Sequence, residues 1–335
     1  MRTVWAQLSK ILSTTFGLIL LSLIGGVAVA QDGWSSSRHG LDGKDLNAVF
    51  FVDSRHGWIA GDAGFVSHTD DGGVSWAQQS VETSDAINDI YFRNKDSGFL
   101  LAGGLIFKTV DGGLSWTIGQ EFSPVDFGGA QAELYSIRFS NKNKGWVVGS
   151  LSRTAKNGDN VVVDSLVYKT SDGGDTWQRQ RLTSKDELIH LDFVNEKHGW
   201  IVGTNGTVLH TEDGGETWMR QQSRTKSTLY HVYFRNEKKG WAVGEHATIL
   251  RTIDGGESWT AVTLGMKSTL LSVQFLNDDD GWVAGRAGTI LRSGDGGLTW
   301  VRQTAPTKVN LYALFFDKKN GWAVGGNGLV LHYLR

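Results

Sequence analysis

Six short motifs in this sequence carry an aspartate that could bind a metal ion or act in catalysis. Each follows the pattern [S/T]-x-D-G-G-x-[S/T]-W, known as an Asp box, and the aspartates are Asp71, Asp111, Asp172, Asp213, Asp254 and Asp295. Six calcium or substrate sites are one interpretation. A structural interpretation also accounts for every residue type, because Gly-Gly supplies positive backbone angles, the aspartate accepts N–H groups within the turn and the tryptophan packs beneath it. We therefore predict stabilised turns.

Other signals of metal or cofactor chemistry are weak. The acidic run Asp278 to Asp280 lacks the alternating ligand spacing of a calcium loop and reads as a solvated turn. The nine histidines show no ligand pair at helical spacing, and no phosphate loop or dinucleotide motif is present. The chain has no cysteine, so a catalytic thiol, a zinc–thiolate site and a disulfide are excluded. We predict no catalytic residues, metal or cofactor, while a carboxylate pair gathered from distant segments stays open.

Arginines offer a different chemistry, the capture of carboxylates on a protein partner. Two pairs follow consecutive Asp boxes, one arginine lies in an inserted segment, and one lies on an inner strand. These predicted partner-binding residues are Arg179, Arg181, Arg220, Arg224, Arg153 and Arg138. The formal net charge of −2 argues against a general nucleic-acid binder. The alternative is that arginines on outer strands only keep sheet edges soluble.

A regular repeat must position these residues. A Gly-aromatic pair followed three residues later by Gly alternates with the Asp box, except that Phe99 needs four residues to reach Gly103. Its aromatic residues are Trp58, Phe99, Trp146, Trp200, Trp241, Trp282 and Trp322. Four short strands fit between successive repeats of roughly 41 residues, which is the blade period of a β-propeller. The sequence predicts an all-β fold, a seven-bladed β-propeller of four-stranded antiparallel blades.

The seventh Asp box is missing, and this predicts how the ring closes. After Trp322 the chain supplies one more strand, Leu329 to Leu334, and no fourth. A degenerate box precedes Trp34 at the other end of the chain. We predict that the segment Trp34 to Arg38 is the outer strand of the last blade, so that no sheet edge is left for aggregation.

Two insertions interrupt the repeat, and both belong to blade three. They cover roughly Gly119 to Glu133 and Ser150 to Ser165, and blade geometry predicts them side by side on the face opposite the Asp boxes. Binding residues concentrate on such loops, although tolerated surface decoration is the alternative.

The innermost strands of blades two to six carry polar residues at two positions. These residues are Tyr91, Arg138, Asp192, Tyr233 and Gln274 at one position, and Asp89, Ser136, His190, His231 and Ser272 at the other. We interpret them as the lining of a water-filled channel with hydrogen bonds between blades. A ligand pocket is the alternative.

The N-terminus predicts export. Arg2 and Lys10 precede an apolar run that ends in Ala28 and Ala30, as in a secretory signal with an A-x-A cleavage site. An uncleaved membrane anchor is the alternative. We predict two parts, a signal peptide at 1–30 and a single propeller domain at 31–335.

The paired signatures, G-W-x-x-G and D-G-G-x-[S/T]-W in seven units after a signal, resemble the photosystem II stability and assembly factor family and its bacterial relatives over residues 34–335. The resemblance implies a noncatalytic, monomeric propeller in the periplasm or thylakoid lumen. It further implies binding of membrane-protein subunits or their precursors, particularly the D1 precursor, through an arginine-rich patch, and membrane association through that partner.

One departure from the family concerns the lipobox cysteine typical of cyanobacterial members, because Ala30-Gln31 stands in its place. A relative from a non-photosynthetic bacterium, serving as a scaffold of another envelope complex, therefore stays open. Asp boxes also occur in sialidases, so a secreted glycosidase is the enzyme alternative, but the [F/Y]-R-I-P segment of sialidases is missing.

Overall fold

The predicted blades are present in a computed structural model, which describes residues 33–334. Seven four-stranded antiparallel sheets follow one another around a ring. The predicted signal peptide lies outside the described residues, so the division of the chain at residue 30 stays a prediction. Within 33–334 no helix is long and apolar enough to cross a membrane.

Each sheet is a meander that runs from the axis to the rim. The strands of blades one to three are β2 Leu46–Phe51, β3 Gly57–Gly61, β4 Val66–Thr69, β5 Ala77–Gln79, β6 Ile87–Phe92, β7 Gly98–Ala102, β8 Leu105–Thr109, β9 Thr117–Glu121, β10 Gln131–Phe139, β11 Gly145–Thr154, β12 Asn160–Thr170 and β13 Gln178–Gln180. Those of blades four and five are β14 Leu188–Phe193, β15 Gly199–Gly203, β16 Val208–Thr211, β17 Met219–Arg220, β18 Leu229–Phe234, β19 Gly240–Gly244, β20 Ile249–Thr252 and β21 Thr260–Val262. Blades six and seven contain β22 Leu270–Phe275, β23 Gly281–Gly285, β24 Thr289–Ser293, β25 Val301–Arg302, β26 Leu311–Phe316, β27 Asn320–Gly325, β28 Leu329–Leu334 and β1 Trp34–Arg38. Short 3₁₀ turns lie at Asp62–Gly64, Pro124–Phe127, Thr204–Gly206, Glu245–Ala247 and Gly326–Gly328.

The tryptophan of the Gly-Trp signature joins neighbouring blades. Trp58 is fully buried and stacks on Phe92 of the next blade, with ring centroids 3.5 Å apart. Its indole N–H donates to the carbonyl of Gly112 in the next Asp box at 3.0 Å. The same stacking and donation recur between later blades, for example from Trp200 to Phe234 and to Gly255. One residue type thus supplies both the apolar core and a fixed contact between blades.

The last glycine of the signature is required by a close approach of the backbone. A Cβ atom at Gly61 would lie 2.0 Å from the carbonyl oxygen of Asp45, and one at Gly149 would lie 2.1 Å from that of Glu133. At these two positions glycine is needed because a side chain would force the backbone in or just before the first strand away from the second strand.

The ring closes as the sequence predicts. β1 pairs with β28 in antiparallel register, with Trp34 opposite Tyr333 and Arg38 opposite Leu329. Trp34 is 1% exposed and packs edge-on against Trp282 and Phe316. The N-terminal strand thus supplies the outer strand and the tryptophan of the missing seventh box.

Candidate functional site

The carboxylates of the Asp boxes accept several hydrogen bonds within their own turns. In the first, the carboxylate of Asp71 accepts the Ser75 amide at 2.9 Å and the Ser75 hydroxyl at 2.6 Å, and the Thr69 hydroxyl at 2.8 Å. These hydrogen bonds, those from Ser75 above all, lower the pKa of Asp71 to about 2. The other five boxes repeat the same contacts. The prediction that these aspartates stabilise turns is confirmed.

The two insertions of blade three lie together, as predicted. β11 and β12 extend into a long hairpin, and the segment before β10 folds into the 3₁₀ turn Pro124–Phe127. Phe122, Ala130 and Leu151 share one buried cluster beneath them. The insertions therefore form a packed extension of the blade.

Two of the predicted arginines hold this extension in place. Arg153 donates to the carbonyl of Gly128 at 3.1 Å. Arg179 pairs with Asp164 of the hairpin at 2.9 Å, and its guanidinium carbon lies 5.5 Å from the ring centroid of Phe127. Both side chains are exposed enough to meet a partner, but each also has a structural contact that the sequence did not reveal.

Arg181 and Arg220 line one groove of about 350 Å³ between the outer strands of blades three and four. Leu182, Leu209 and Trp218 add apolar surface to the lining of the groove. Among the described residues Arg181 forms no ion pair. The groove thus offers cations beside apolar surface, which suits a peptide that carries both carboxylates and apolar side chains.

Asp186 holds Arg220 at the edge of this groove, hereafter the arginine groove. The Arg220 guanidinium donates to Asp186 at 2.8 Å. Burial raises the pKa of the Asp186 carboxyl, but hydrogen bonds from Thr207, Arg220 and Asn205 outweigh it and leave the pKa well below its usual range. Asp186 therefore stays ionised and fixes Arg220 at neutral pH.

Arg224 lies apart from that groove. Its backbone adopts a left-handed conformation with φ of 58°, and its side chain lines a separate pocket of about 570 Å³ with Trp259 and Leu264. The chain reaches this pocket because Gln221 donates to the Gly255 carbonyl in the next blade at 2.9 Å. The predicted outer arginines thus spread along the rim of blades three to five.

Arg138 lies in the central channel, away from the outer arginines. Its guanidinium donates to Asp89 at 2.6 Å and lies 3.0 Å from the ring nitrogen Nε2 of His190. The structure therefore does not bring Arg138 together with the other predicted partner-binding residues.

The polar channel residues hydrogen-bond across blade boundaries, as predicted. Asp192 accepts the amide of Phe234 at 2.7 Å, and Gln274 accepts the amide of Phe316 at 2.8 Å. The channel contains two cavities of about 230 and 150 Å³, which are lined by these inner strands.

The titratable groups of the channel have strongly displaced pKa values. Burial raises the pKa of Asp192 to about 6. Burial, reinforced by the charge of Arg138, lowers the pKa of His231 to about 3. His190 stacks on His231 with ring centroids 3.7 Å apart. Burial also holds the pKa of His190 well below its usual range. Both histidines are neutral at pH 7, whereas Asp192 is mostly ionised at that pH.

The acidic run of blade six is an ion-paired turn. Asp278 pairs with Lys239 of blade five at 2.6 Å, and Asp280 pairs with Arg292 at 3.1 Å. These contacts agree with the interpretation of the run as a turn.

A cluster that the sequence did not reveal lies in blade four, where His198, His210 and Glu212 converge. Helical spacing could not find it, because His210 lies on β16 while His198 and Glu212 lie in the turns before β15 and after β16. Their strand register was the available signal.

These features define the class: a seven-bladed Asp-box propeller with a packed extension on blade three and arginines along its rim. The family model described as "Photosynthesis system II assembly factor YCF48" matches residues 75–160, 132–226, 173–268, 220–302 and 257–334. The chain belongs to this family of photosystem II assembly factors, as its signatures predict.

Individual relatives agree with this assignment. The "Photosystem II assembly lipoprotein Ycf48" of Synechococcus sp. (strain CC9902) is 26% identical over 185 residues, and the match covers 51% of this chain and 50% of that protein. The chain thus spans about half the length of this curated relative.

Solved structures share the fold. One described as "YCF48 bound to D1 peptide" has 21% identity and a TM-score of 0.72, with 92% of this chain and 99% of that chain covered. YCF48 from Cyanidioschyzon merolae has 20% identity and a TM-score of 0.69, with 89% and 98% covered.

Proposed function

We propose that this chain is a noncatalytic assembly factor that binds a reaction-centre subunit of photosystem II, or its precursor, through the arginine groove. Membership of the assembly factor family carries this proposal. The structure of a relative with a D1 peptide supports a peptide segment of the client as the ligand.

The groove suits such a segment on physical grounds. Arg181 and Arg220 contribute two guanidinium groups to a groove that Leu182 and Trp218 also line. Arg220 is held by Asp186, so part of its side-chain entropy is lost before a ligand arrives. A carboxylate bound between the arginines would form charge-assisted hydrogen bonds, and neighbouring apolar side chains would cover the apolar lining.

The protein acts outside the cytoplasm in this proposal, in the periplasm or the thylakoid lumen, as a monomer that reaches the membrane through its client. The secretion signal predicted at 1–30 and the lipoprotein named in the Synechococcus relative's description support export.

The test measures binding of a fluorescently labelled D1 peptide by anisotropy. Arg181→Glu combined with Arg220→Glu should weaken binding at least tenfold, which corresponds to about 1.4 kcal/mol. Arg302→Glu is the matched control, because Arg302 lies on the outer strand of blade six at the position that Arg220 has in blade four. Thermal unfolding of each variant separates lost binding from lost folding.

Two outcomes would contradict the proposal. Equal binding by the double variant and the control would remove the arginine groove from the site. A wild-type chain that binds neither the peptide nor any reaction-centre subunit from native thylakoid membranes would overturn the proposed function itself.

A further inference from the structure

Blade four brings two imidazoles and a carboxylate together on the face formed by the Asp boxes. One ligand atom from each of His198, His210 and Glu212 lies within 4.8 Å of the others. Among residues 33–334, three such ligand atoms come this close only here. The site lies outside the arginine groove and has no part in the proposed function.

Strand register positions the three residues. β15 and β16 pair with Gly199 opposite Thr211 and Trp200 opposite His210, so the next step of the register carries His198 towards Glu212. The ring of His210 stacks on Trp200 at 4.6 Å with an interplanar angle of 11°. The His198 amide donates to Asn195 at 2.9 Å, which fixes the turn that presents its ring. The backbone thus holds the cluster without help from a ligand.

His210 supplies a second, independent observation. His210 is only 7% exposed, and its ring nitrogen Nε2 is buried without a hydrogen-bond partner among the described residues. A buried polar atom without a partner costs about 1 to 3 kcal/mol, so such atoms are normally satisfied. Coordination of a metal ion by an imidazole would relieve this cost.

Blade one provides an internal comparison. His56, His68 and Asp70 place two histidines and a carboxylate at the corresponding positions, with Trp58 opposite His68 in the register. There, however, the ring of His56 turns to the Asp53 carboxylate, with Nδ1 2.9 Å from Oδ2. In blade four the residue at the position of Asp53 is Asn195, and its side-chain amide instead donates to Glu237 at 2.7 Å. His198 thus has no counterpart of the Asp53 carboxylate in its own turn, and its ring centroid lies 5.9 Å from that of His210.

We propose that His198, His210 and Glu212 form a binding site for one divalent transition-metal ion of the zinc class. Two imidazoles and a carboxylate are a donor set that Zn²⁺ binds in proteins, and three protein ligands leave a coordination position for water or for a group on a partner. Glu237, with Oε1 3.9 Å from Nε2 of His198, lies beside the site as a further carboxylate.

Calorimetric titration of the EDTA-treated protein with ZnCl₂, with Co²⁺ absorption as a second readout, tests the site. The wild type should bind one equivalent with a Kd in the micromolar range, and tetrahedral Co²⁺ should give visible bands. His198→Gln and Glu212→Gln should each weaken binding at least tenfold. Both positions are more exposed than His210, so these variants should fold like the wild type.

The matched control is His56→Gln, which changes the corresponding residue of blade one and should bind Zn²⁺ like the wild type. The proposal would be overturned if the wild type, at micromolar concentration, bound no Zn²⁺ when ZnCl₂ is present in about 100-fold excess. It would also be overturned if His198→Gln bound Zn²⁺ with wild-type affinity. Loss of D1 peptide binding leaves this test untouched, because the two sites use different residues.

Discussion

Two arginines of this propeller, Arg138 at the axis and Arg181 at the rim, have opposite environments. At the axis, Arg138 is bound by Asp89 and faces His190, and its side chain is 22% exposed. At the rim, Arg181 is exposed and forms no ion pair among residues 33–334. The difference teaches that an arginine's environment, rather than its place in a repeat, decides whether its hydrogen bonds stabilise the fold or are left for a partner.

The largest expected effect concerns Arg138. Replacing it with alanine leaves the largely buried Asp89 carboxylate without its cation. We therefore expect the free energy of unfolding to fall by about 3 kcal/mol. Arg181→Ala is the matched control and should change it by less than about 0.5 kcal/mol. Urea unfolding at pH 7 measures both, and equal losses would erase the distinction between axis and rim.

A pH-dependent effect follows at Asp192. Its pKa is raised to about 6 from the ordinary aspartate value of 3.8, so the folded state binds this proton more tightly than the unfolded chain does. The contribution of Asp192 to stability is full below pH 3.8 and is lost as the pH rises through 6, by up to about 3 kcal/mol. In Asp192→Asn this loss should disappear, so the variant should gain stability relative to the wild type between pH 4 and 7.

Urea unfolding between pH 4 and 8 measures that gain. Asp42→Asn, which changes an exposed aspartate, should keep the wild-type pH dependence. A pH dependence unchanged in Asp192→Asn would show that the channel carboxylate does not titrate in this range.

The Asp boxes should show the opposite dependence of stability on pH. Hydrogen bonds from Ser115 lower the pKa of Asp111 to about 2, so its contribution is present above pH 3.8 and is lost as the pH falls towards 2. Asp111→Asn should cost about 1 kcal/mol at pH 7, a value discounted for solvent exposure. The difference from wild type should vanish near pH 2 in acid unfolding experiments. A difference that persists there would contradict a role for the ionised carboxylate.

The sequence predicted the fold best where the same motif recurs along the chain. Seven aromatic signatures and six boxes predicted the blades, and the missing box predicted that Trp34 would complete the last one. Blade five, whose first strand is Leu229–Phe234, has the four short strands that the repeat predicts, because glycines and polar turns separate them clearly. The predicted hydrogen bonds between blades in the channel also agree with the structure.

The sequence predicted less where contacts depend on loops. Nothing in the repeat reveals that Arg179 meets Asp164 and Phe127, because the conformations of both insertions decide it. It also could not separate Arg224 from the arginine groove, since a left-handed backbone at that residue redirects its side chain. The pairing of His198 with His210 required the register of two strands, which composition does not encode.

Closure by β1 has a consequence for biosynthesis. The first described strand pairs with the last, so the Ser35 hydroxyl bonds to the His332 carbonyl across 297 positions. Contacts of such long sequence separation form late, because the intervening chain must first be brought together. The ring therefore cannot be completed until β28 has left the ribosome, so the outer edge of the last blade stays unpaired throughout synthesis of the other blades.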